Sequence, residues 1–171
     1  MAAEGGNDIV RLFIYTGAVY ERIPDEATHI TIAEDCTFVR AHAFALHPNI
    51  VEVICHDGVV KIERSAFRGC PNLRRFIMSG VKVVDAGAFY NCHSLEDVEC
   101  SQLEIIEKFA FDWCSSLRSI NLPSARIVER GAFSGCFALT EVRFGRNLET
   151  IEEGHLLASH QHRRGKCIHW L

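Results

Sequence analysis

The sequence predicts a β-rich solenoid, a stack of short coils in which each coil buries its apolar face against its neighbours. Two observations carry this prediction. An alanine-phenylalanine pair recurs every 22 or 23 residues, and apolar residues keep fixed offsets from each phenylalanine. The pairs are Ala43-Phe44, Ala66-Phe67, Ala88-Phe89, Ala110-Phe111 and Ala132-Phe133. A unit this short cannot enclose a core of its own, so the coils must stack.

The fixed offsets define a repeat of the form I-x-x-x-A-F-x-x-C-x-x-L-x-x-I. Around Phe133, for example, Val128 lies five positions before the ring, Cys136 three positions after it and Leu139 six positions after it. The L-x-x-I-x-L part of each unit alternates apolar and polar residues, which predicts a strand with one buried face. Phenylalanine and cysteine lie three positions apart in the A-F part, which predicts a single helical or 3₁₀ turn with both side chains pointing inward.

The repeat unit resembles the BspA-type subclass of leucine-rich repeats, and the resemblance covers about Val10 to Leu157. Tyr15–Gly17, followed by Ile23–Ile30, is also similar to the N-terminal segment of eukaryotic algal members of that family. The resemblance implies a β-rich α/β leucine-rich-repeat solenoid of about six short coils, with parallel strands and short 3₁₀ or helical turns. It also implies a protein-binding role without catalysis.

We divide the chain into three parts. Residues 1–8 are small and polar and predict a disordered lead. Residues 9–157 form the predicted solenoid, of which 9–29 are an N-terminal cap. Residues 158–171 form a basic, histidine-rich tail that either caps the last coil or hangs free. An uncapped coil exposes a strand edge, so self-association through this end is one hypothesis.

Composition and charge exclude several classes of partner. The 171 residues are 48% hydrophobic and carry a formal net charge of −4, which is ordinary for one globular domain. Nucleic acids and anionic membranes require clustered basic residues, so we expect neither as a partner. The sequence shows no secretory signal and no apolar run of about 18 residues. We therefore expect a cytoplasmic protein.

The eight cysteines predict a buried column rather than a disulfide framework. Four of them occupy one repeat position, namely Cys70, Cys92, Cys114 and Cys136, and His47 takes that position in the first copy. A redox or metal role is the alternative. The nearest metal candidates are His160, His162, Cys167 and His169, but their spacing does not match the usual zinc motifs. No metal or cofactor is expected.

No stretch of the sequence carries the chemistry of an enzyme. The phosphate-binding, dinucleotide-binding, serine-hydrolase and zinc-protease motifs are absent. Glu63, Glu107 and Glu129, with Asp85, each follow the residue that opens a repeat. We interpret them as a solvated repeat position, so no catalytic residue is predicted.

The strand residues that point away from the core form two columns, and these predict a protein-binding face. The first column is His29, Glu52, Arg75, Asp97, Ser119 and Glu141, and the second is Thr31, Ile54, Ile77, Glu99, Asn121 and Arg143. The alternating charges of the first column also fit cross-strand pairing without any ligand. The neighbouring Ile54 and Ile77 favour a contact patch. We predict binding of an unidentified protein, with a self-associating scaffold or a metal- or redox-responsive module as alternatives.

Overall fold

The computed structural model describes residues 10–152 and the backbone of residues 167–170, which together contain fourteen strands. The longer strands are β1 (Leu12–Tyr15), β2 (His29–Ile32), β4 (Glu52–Ile54), β6 (Arg75–Ile77), β8 (Asp97–Glu99), β10 (Ser119–Leu122), β12 (Glu141–Phe144) and β14 (Cys167–Trp170). The two-residue strands are β3 (Phe38–Val39), β5 (Lys61–Ile62), β7 (Val83–Val84), β9 (Ile105–Ile106), β11 (Ile127–Val128) and β13 (Thr150–Ile151).

The strands form three parallel sheets on two sides of a solenoid. The longer strands make a sheet with the order β1-β2-β4-β6-β8 and a second one with the order β10-β12-β14. The two-residue strands make a third sheet with the order β13-β11-β9-β7-β5-β3. Successive repeats pair in register, as in Val53 with Phe76 and Phe76 with Val98. The predicted solenoid of about six coils with parallel strands is confirmed.

The core is a set of stacked columns, one for each apolar repeat position. The phenylalanine rings of the A-F pairs lie parallel in one ladder, with centroids 4.8 to 5.5 Å apart and interplanar angles of 3 to 5° from Phe44 to Phe133. Phe76 contacts two rungs of this ladder edge-on. Burying each such side chain contributes about 1.5–3 kcal/mol. The repeat therefore stabilises the protein through contacts between coils.

The turns around the A-F pairs stack into a third hydrogen-bonded side, which we call the turn side. Phe67 N–H donates to Ala88 O at 2.8 Å, and Phe89 N–H donates to Ala110 O at the same distance. Each turn has two residues with left-handed backbone, two positions before and two positions after the phenylalanine. Their φ angles are 55 to 70° for His42, Ser65, Gly87, Phe109, Gly131, Leu46, Gly69, Asn91, Trp113 and Gly135.

These left-handed residues explain one difference from the expected fold. A left-handed residue ends right-handed helical geometry after one turn, and the residues described in the structure contain no helix. The expected 3₁₀ or helical turns are instead tight turns, closed by bonds such as Arg68 N–H to Ser65 O at 3.1 Å. Leu46 and Trp113 adopt the same backbone as the glycines at equivalent positions. Glycine is thus favourable at this position but not required.

The ends of the solenoid are only partly described. The predicted lead, residues 1–8, lies outside the described residues, as do residues 158–166 of the predicted tail. Strand β1 pairs in register with β2, within the segment predicted as the cap. Strand β14 pairs with β12, so its backbone continues the second sheet. The division into lead, cap, solenoid and tail stays a prediction.

Candidate protein-binding face

The outward surface of the longer strands, which we call the strand face, contains both predicted columns. His29 pairs with Glu52 and Glu52 with Arg75 in the first column, while Thr31 pairs with Ile54 and Ile54 with Ile77 in the second. The central residue of each strand is buried, as the alternation predicted. Every column member among these strands therefore lies beside its counterpart in the next coil, about 4.8 Å away.

The charged residues in the middle of the strand face bind one another. Arg75 forms ion pairs with Glu52 at 3.4 Å, with Asp97 at 3.3 Å and with Glu99. The side chain of Arg75 is about half exposed, so solvent screens these pairs and each contributes little to stability. The network fixes the orientation of Arg75 and satisfies three carboxylates. Cross-strand pairing thus accounts for the alternating charges without a ligand.

The second column begins with an apolar row that extends further than the sequence suggested. Ile54 is 39% exposed, and the neighbouring Ile77 is half-buried. Strand β1 extends the second column with Ile14, which pairs with Thr31 and is 55% exposed, and the first column with Leu12, which pairs with His29 and is 64% exposed. Sequence reasoning missed these two residues. The alternation in Leu12–Tyr15, with Tyr15 buried, is the signal that marks them as outward.

The remaining predicted residues lie on a different sheet. Ser119 pairs with Glu141 and Asn121 with Arg143, on β10 and β12. Arg143 donates to Glu141 on its own strand at 2.9 Å. Strands β8 and β10 belong to separate sheets. The predicted face is therefore an apolar and charged part on the first sheet, followed by a polar part on the second.

The acidic repeat position has a structural role in addition to the solvated one that the sequence predicts. Glu107 accepts a hydrogen bond from Ala86 N–H of the preceding coil at 3.0 Å, and Glu63 accepts one from Ala41 N–H at 2.9 Å. Glu129 and Glu152 bind the N–H groups of Lys108 and Arg130 in the same way. These carboxylates, which are half-buried except for the exposed Glu152, connect neighbouring coils. The sequence did not indicate this role, because it depends on each side chain folding back onto the backbone.

Asp85 occupies the same repeat position but is one methylene shorter than glutamate. Its Oδ2 pairs with Lys61 Nζ at 2.9 Å, and its Oδ1 is buried without a hydrogen-bond partner. No bond joins Asp85 to the N–H of Arg64, the donor that the repeat places opposite it, in the part of the chain that the structure describes. The second repeat therefore lacks one of the bridges between coils.

The cysteine column is buried, as predicted. Each thiol donates to the carbonyl of the phenylalanine in the preceding coil, such as Cys92 Sγ to Phe67 O at 3.0 Å and Cys114 Sγ to Phe89 O at 3.2 Å. His47 fills this position in the first repeat through a bond between Nε2 and Pro24 O at 3.0 Å. Burial raises the pKa of Cys92 to about 12. Such thiols contain little thiolate at neutral pH and are poor nucleophiles.

No metal or membrane site emerges from the described residues. The weak metal candidates His160 and His162 lie outside them, and only the backbone of Cys167 and His169 is described. Over residues 10–152, no three histidine, cysteine or acidic side chains come together as metal ligands. In the same residues, no helix has the length and apolar character that crossing a membrane requires.

Comparison with known proteins agrees with this geometry. The model of the BspA type leucine rich repeat region matches residues 24–127 and 82–161, with six copies. A leucine rich cell surface protein of Faecalibacterium prausnitzii has 27% identity and a TM-score of 0.66, covering 72% of this chain and 34% of that one. The T. pallidum leucine rich repeat protein has 27% identity and a TM-score of 0.60, covering 77% of this chain and 57% of that one.

A leucine-rich repeat protein of Eubacterium ventriosum shares the fold at 17% identity, with a TM-score of 0.57 and coverage of 72% of this chain and 40% of that one. No curated protein matches the chain in sequence. The chain spans between about a third and 57% of the length of these structures. The family model covers well over half of the chain, and its repeats coincide with the coils of the solenoid. The chain belongs to the BspA-type leucine-rich repeat family.

Proposed function

We propose that the protein is a non-catalytic protein-binding module that uses the strand face. The observation that carries this proposal is the row Ile14, Thr31, Ile54 and Ile77, three branched aliphatic residues and one threonine, which crosses four neighbouring strands. Ile14 and Ile54 are more than a third exposed, and Leu12 beside them is more exposed still. Adjacent exposed aliphatic side chains of this kind are typical of contact sites rather than of ordinary solvated surface.

The charges around the row support a specific contact. A protein interface combines an apolar centre with a polar rim. Here the rim is the network of Arg75 with Glu52, Asp97 and Glu99. Because Arg75 is already held by three carboxylates, it presents a fixed arrangement of charge to a partner. Leucine-rich-repeat family membership supports a repeat-based interaction module in general, and the row defines where this chain would use it.

The test compares two apolar-to-charged changes of similar exposure. Ile14→Glu combined with Ile54→Glu places one charge at the β1 end of the row and one in its interior. Val60→Glu is the matched control, because Val60 is also a branched aliphatic residue and its exposed fraction is 44%. Val60 directly precedes β5 and is not on the strand face. The full chain and both variants are used in parallel pull-downs with quantitative mass spectrometry.

We expect a partner that the wild type and Val60→Glu retain in equal amounts. The double variant should retain at least about tenfold less of it, because burying an unpaired charge at an interface costs more than 1.4 kcal/mol. All three proteins should have similar melting temperatures, since each changed side chain is exposed. A partner retained by the double variant at the wild-type level would place the binding surface elsewhere.

We also propose a cytoplasmic location. Seven cysteines within the described residues are buried and form no disulfide bond, and reduced thiols are typical of reducing compartments. The F. prausnitzii relative is described as a cell surface protein, so the two locations make different predictions for the thiols. Rapid alkylation of cells, followed by mass spectrometry, should find all eight cysteines reduced. Disulfide-bonded cysteines would contradict a cytoplasmic location.

A further inference from the structure

The turn side contains a groove that none of the features above uses. It encloses about 470 Å³, and its walls include Arg64, Arg68, Tyr90, Lys108, Phe109 and Asp112. The groove crosses three successive coils. It is separate from the strand face, because its lining comes from the A-F turns and not from the longer strands. A ligand here would not compete directly with a partner on the strand face.

The groove exists because the middle coil has small residues where its neighbours have large ones. Two and three positions before the phenylalanine, the middle coil has Gly87 and Ala86, which form part of the lining. The next coil has Phe109 and Lys108 at these positions, and the preceding coil has Ser65 and Arg64. The contrast in size on both sides is therefore at Ala86, between Arg64 and Lys108. The backbones of the flanking coils are about 10 Å apart, which is two steps of the solenoid.

Phe109 forms one wall under conformational strain. Its φ is 59°, a conformation that bulky residues rarely adopt, and its ring is 41% exposed. The equivalent residues of the neighbouring coils are Gly87 and Gly131, which adopt it freely. A Cβ placed on Gly131 would lie 2.5 Å from the Phe109 ring, so the ring rests directly on that glycine. Because His42 and Ser65 adopt the same backbone at this repeat position, the conformation belongs to the repeat, and what distinguishes this coil is its exposed aromatic side chain.

The groove is positively charged although the protein is acidic. Arg64, Arg68 and Lys108 are exposed, and none has a carboxylate within ion-pair distance among residues 10–152. The nearby Glu107 and Glu129 instead accept backbone hydrogen bonds. Arg68 also lies over the ring of Tyr90, 5.5 Å from its centroid. Within these residues no direct ion pair therefore neutralises the three cations of the lining.

One acidic residue faces this cationic set. Asp112 is buried at the edge of the groove, with its Oδ1 lacking a hydrogen-bond partner. Burial raises the pKa of the Asp112 carboxyl, while its hydrogen bond with Ser134 opposes that change. The net charge of the lining remains positive, with three cations against one carboxyl group.

We propose that this groove binds an acidic peptide segment. Carboxylate or phosphate groups of the segment would contact Arg64, Arg68 and Lys108, and an apolar or aromatic side chain would pack between Tyr90 and Phe109. A peptide fits better than a longer polyanion, because the basic surface covers only three coils of a protein with net charge −4. Nucleic acids and anionic membranes are held by more extended basic surfaces.

The test uses the full chain and two fluorescein-labelled pentapeptides in fluorescence anisotropy at low ionic strength. One peptide has a phenylalanine flanked by glutamates, and the other has phosphoserines in place of the glutamates. Arg68→Glu and Lys108→Glu should each weaken binding by about tenfold or more, as expected for loss of a charged hydrogen bond. Arg118→Glu is the charge-matched control, because Arg118 is exposed outside the groove, and it should change affinity by less than about twofold.

A second pair of variants tests shape rather than charge. Ala86→Leu fills the floor of the groove and should weaken binding by about tenfold. Ala41→Leu makes the same change at the equivalent position of the first repeat, outside the groove, and should have no effect. Circular dichroism verifies that all variants keep the fold. The phosphoserine peptide binding tighter would identify phosphate as the preferred group, and equal or weaker binding would identify carboxylate.

Three results would overturn the proposal. The first is that neither peptide binds at millimolar concentration. The second is that Arg118→Glu weakens binding as much as Lys108→Glu, and the third is that Ala86→Leu leaves the affinity unchanged. A single-stranded oligonucleotide or a phosphatidylserine vesicle that binds more tightly than both peptides, with the same dependence on Lys108, would also overturn it in favour of a different polyanion. None of these results would bear on the strand face, whose partner is tested with other variants.

Discussion

Exchanging aspartate and glutamate between repeats should move stability in opposite directions. Glu107 accepts a hydrogen bond from Ala86 N–H at 3.0 Å and so connects two coils. Asp85 stands at the equivalent position of the preceding repeat, with Oδ1 buried and without a partner. We predict that Asp85→Glu raises the free energy of unfolding and that Glu107→Asp lowers it, since the extra methylene decides whether the carboxylate reaches the backbone.

The magnitude follows from the contacts of each residue. A hydrogen bond to a charged group contributes about 1.5–3 kcal/mol, and the lower end applies to these half-buried side chains. Asp85→Glu would gain about 1.5 kcal/mol, while it would give up the pair with Lys61, whose exposed ammonium makes that pair worth about 0.5 kcal/mol. The net gain is about 1 kcal/mol, or roughly 2–4 °C in Tm for a chain of this size. Glu107→Asp should lose about 1.5 kcal/mol.

Urea denaturation followed by circular dichroism, together with calorimetry, measures both changes. Glu107→Gln is the control, because it keeps the side-chain length and an acceptor oxygen while removing the charge, and it should lose about half as much as Glu107→Asp. The reasoning is refuted if Asp85→Glu destabilises the protein, or if Glu107→Asp and the wild type unfold at the same urea concentration.

Three further predictions concern the core, the turns and the thiols. Phe89→Ala removes a fully buried rung of the ring ladder and should cost about 3–5 kcal/mol, while Phe137→Ala, at an exposed ring, should cost under about 1 kcal/mol in the same urea titration. Leu46→Gly should raise stability by about 1 kcal/mol, measured as a higher Tm, because φ at this exposed leucine is 62°. Burial raises the pKa of Cys92 and Cys100 from 9.0 to about 12, so above pH 9 these thiols release protons when the protein unfolds. The free energy of unfolding should therefore fall as the pH rises, by up to about 1.4 kcal/mol per thiol per pH unit. A flat pH dependence from 9 to 11 in calorimetry would contradict the last prediction.

The periodic part of the structure could be predicted from the sequence because each core column repeats one offset. Phe133 and Cys136 were assigned to the interior by their counterparts in earlier coils, and both are buried. Leu12 and Ile14 escaped this reasoning because β1 precedes β2 by 17 residues, from Leu12 to His29, and not by the 22 or 23 of the later repeats. The register of β1 with β2 is therefore set by the folded cap and not by the repeat period of the later coils.

Other features depend on side-chain reach and on differences between coils, which the repeat pattern does not contain. The sequence placed Glu107 on an outward position, but only the structure shows that its carboxylate returns to the backbone of the preceding coil. The groove arises where Ala86 lies between Arg64 and Lys108 in its column, and where Gly87 lies between Ser65 and Phe109. A comparison of residue size between coils, column by column, could have found this depression. The strain at Phe109 could not have been found in that way.

The separation of β8 from β10 has a consequence for how the array unfolds. Between these two coils the two-residue strands β9 and β11 still pair, and the turns still bond through Phe111 N–H to Ala132 O at 2.8 Å. The longer strands belong to different sheets, and a weaker thiol contact from Cys100 to Asn121 O at 3.5 Å lies between them. In a linear array, stability is the sum of terms for adjacent units, and this junction has the smallest such term. Fraying that starts at the C-terminal coils should therefore stop here, so that amide hydrogens of β10 and β12 exchange together and earlier than those of β4 and β6.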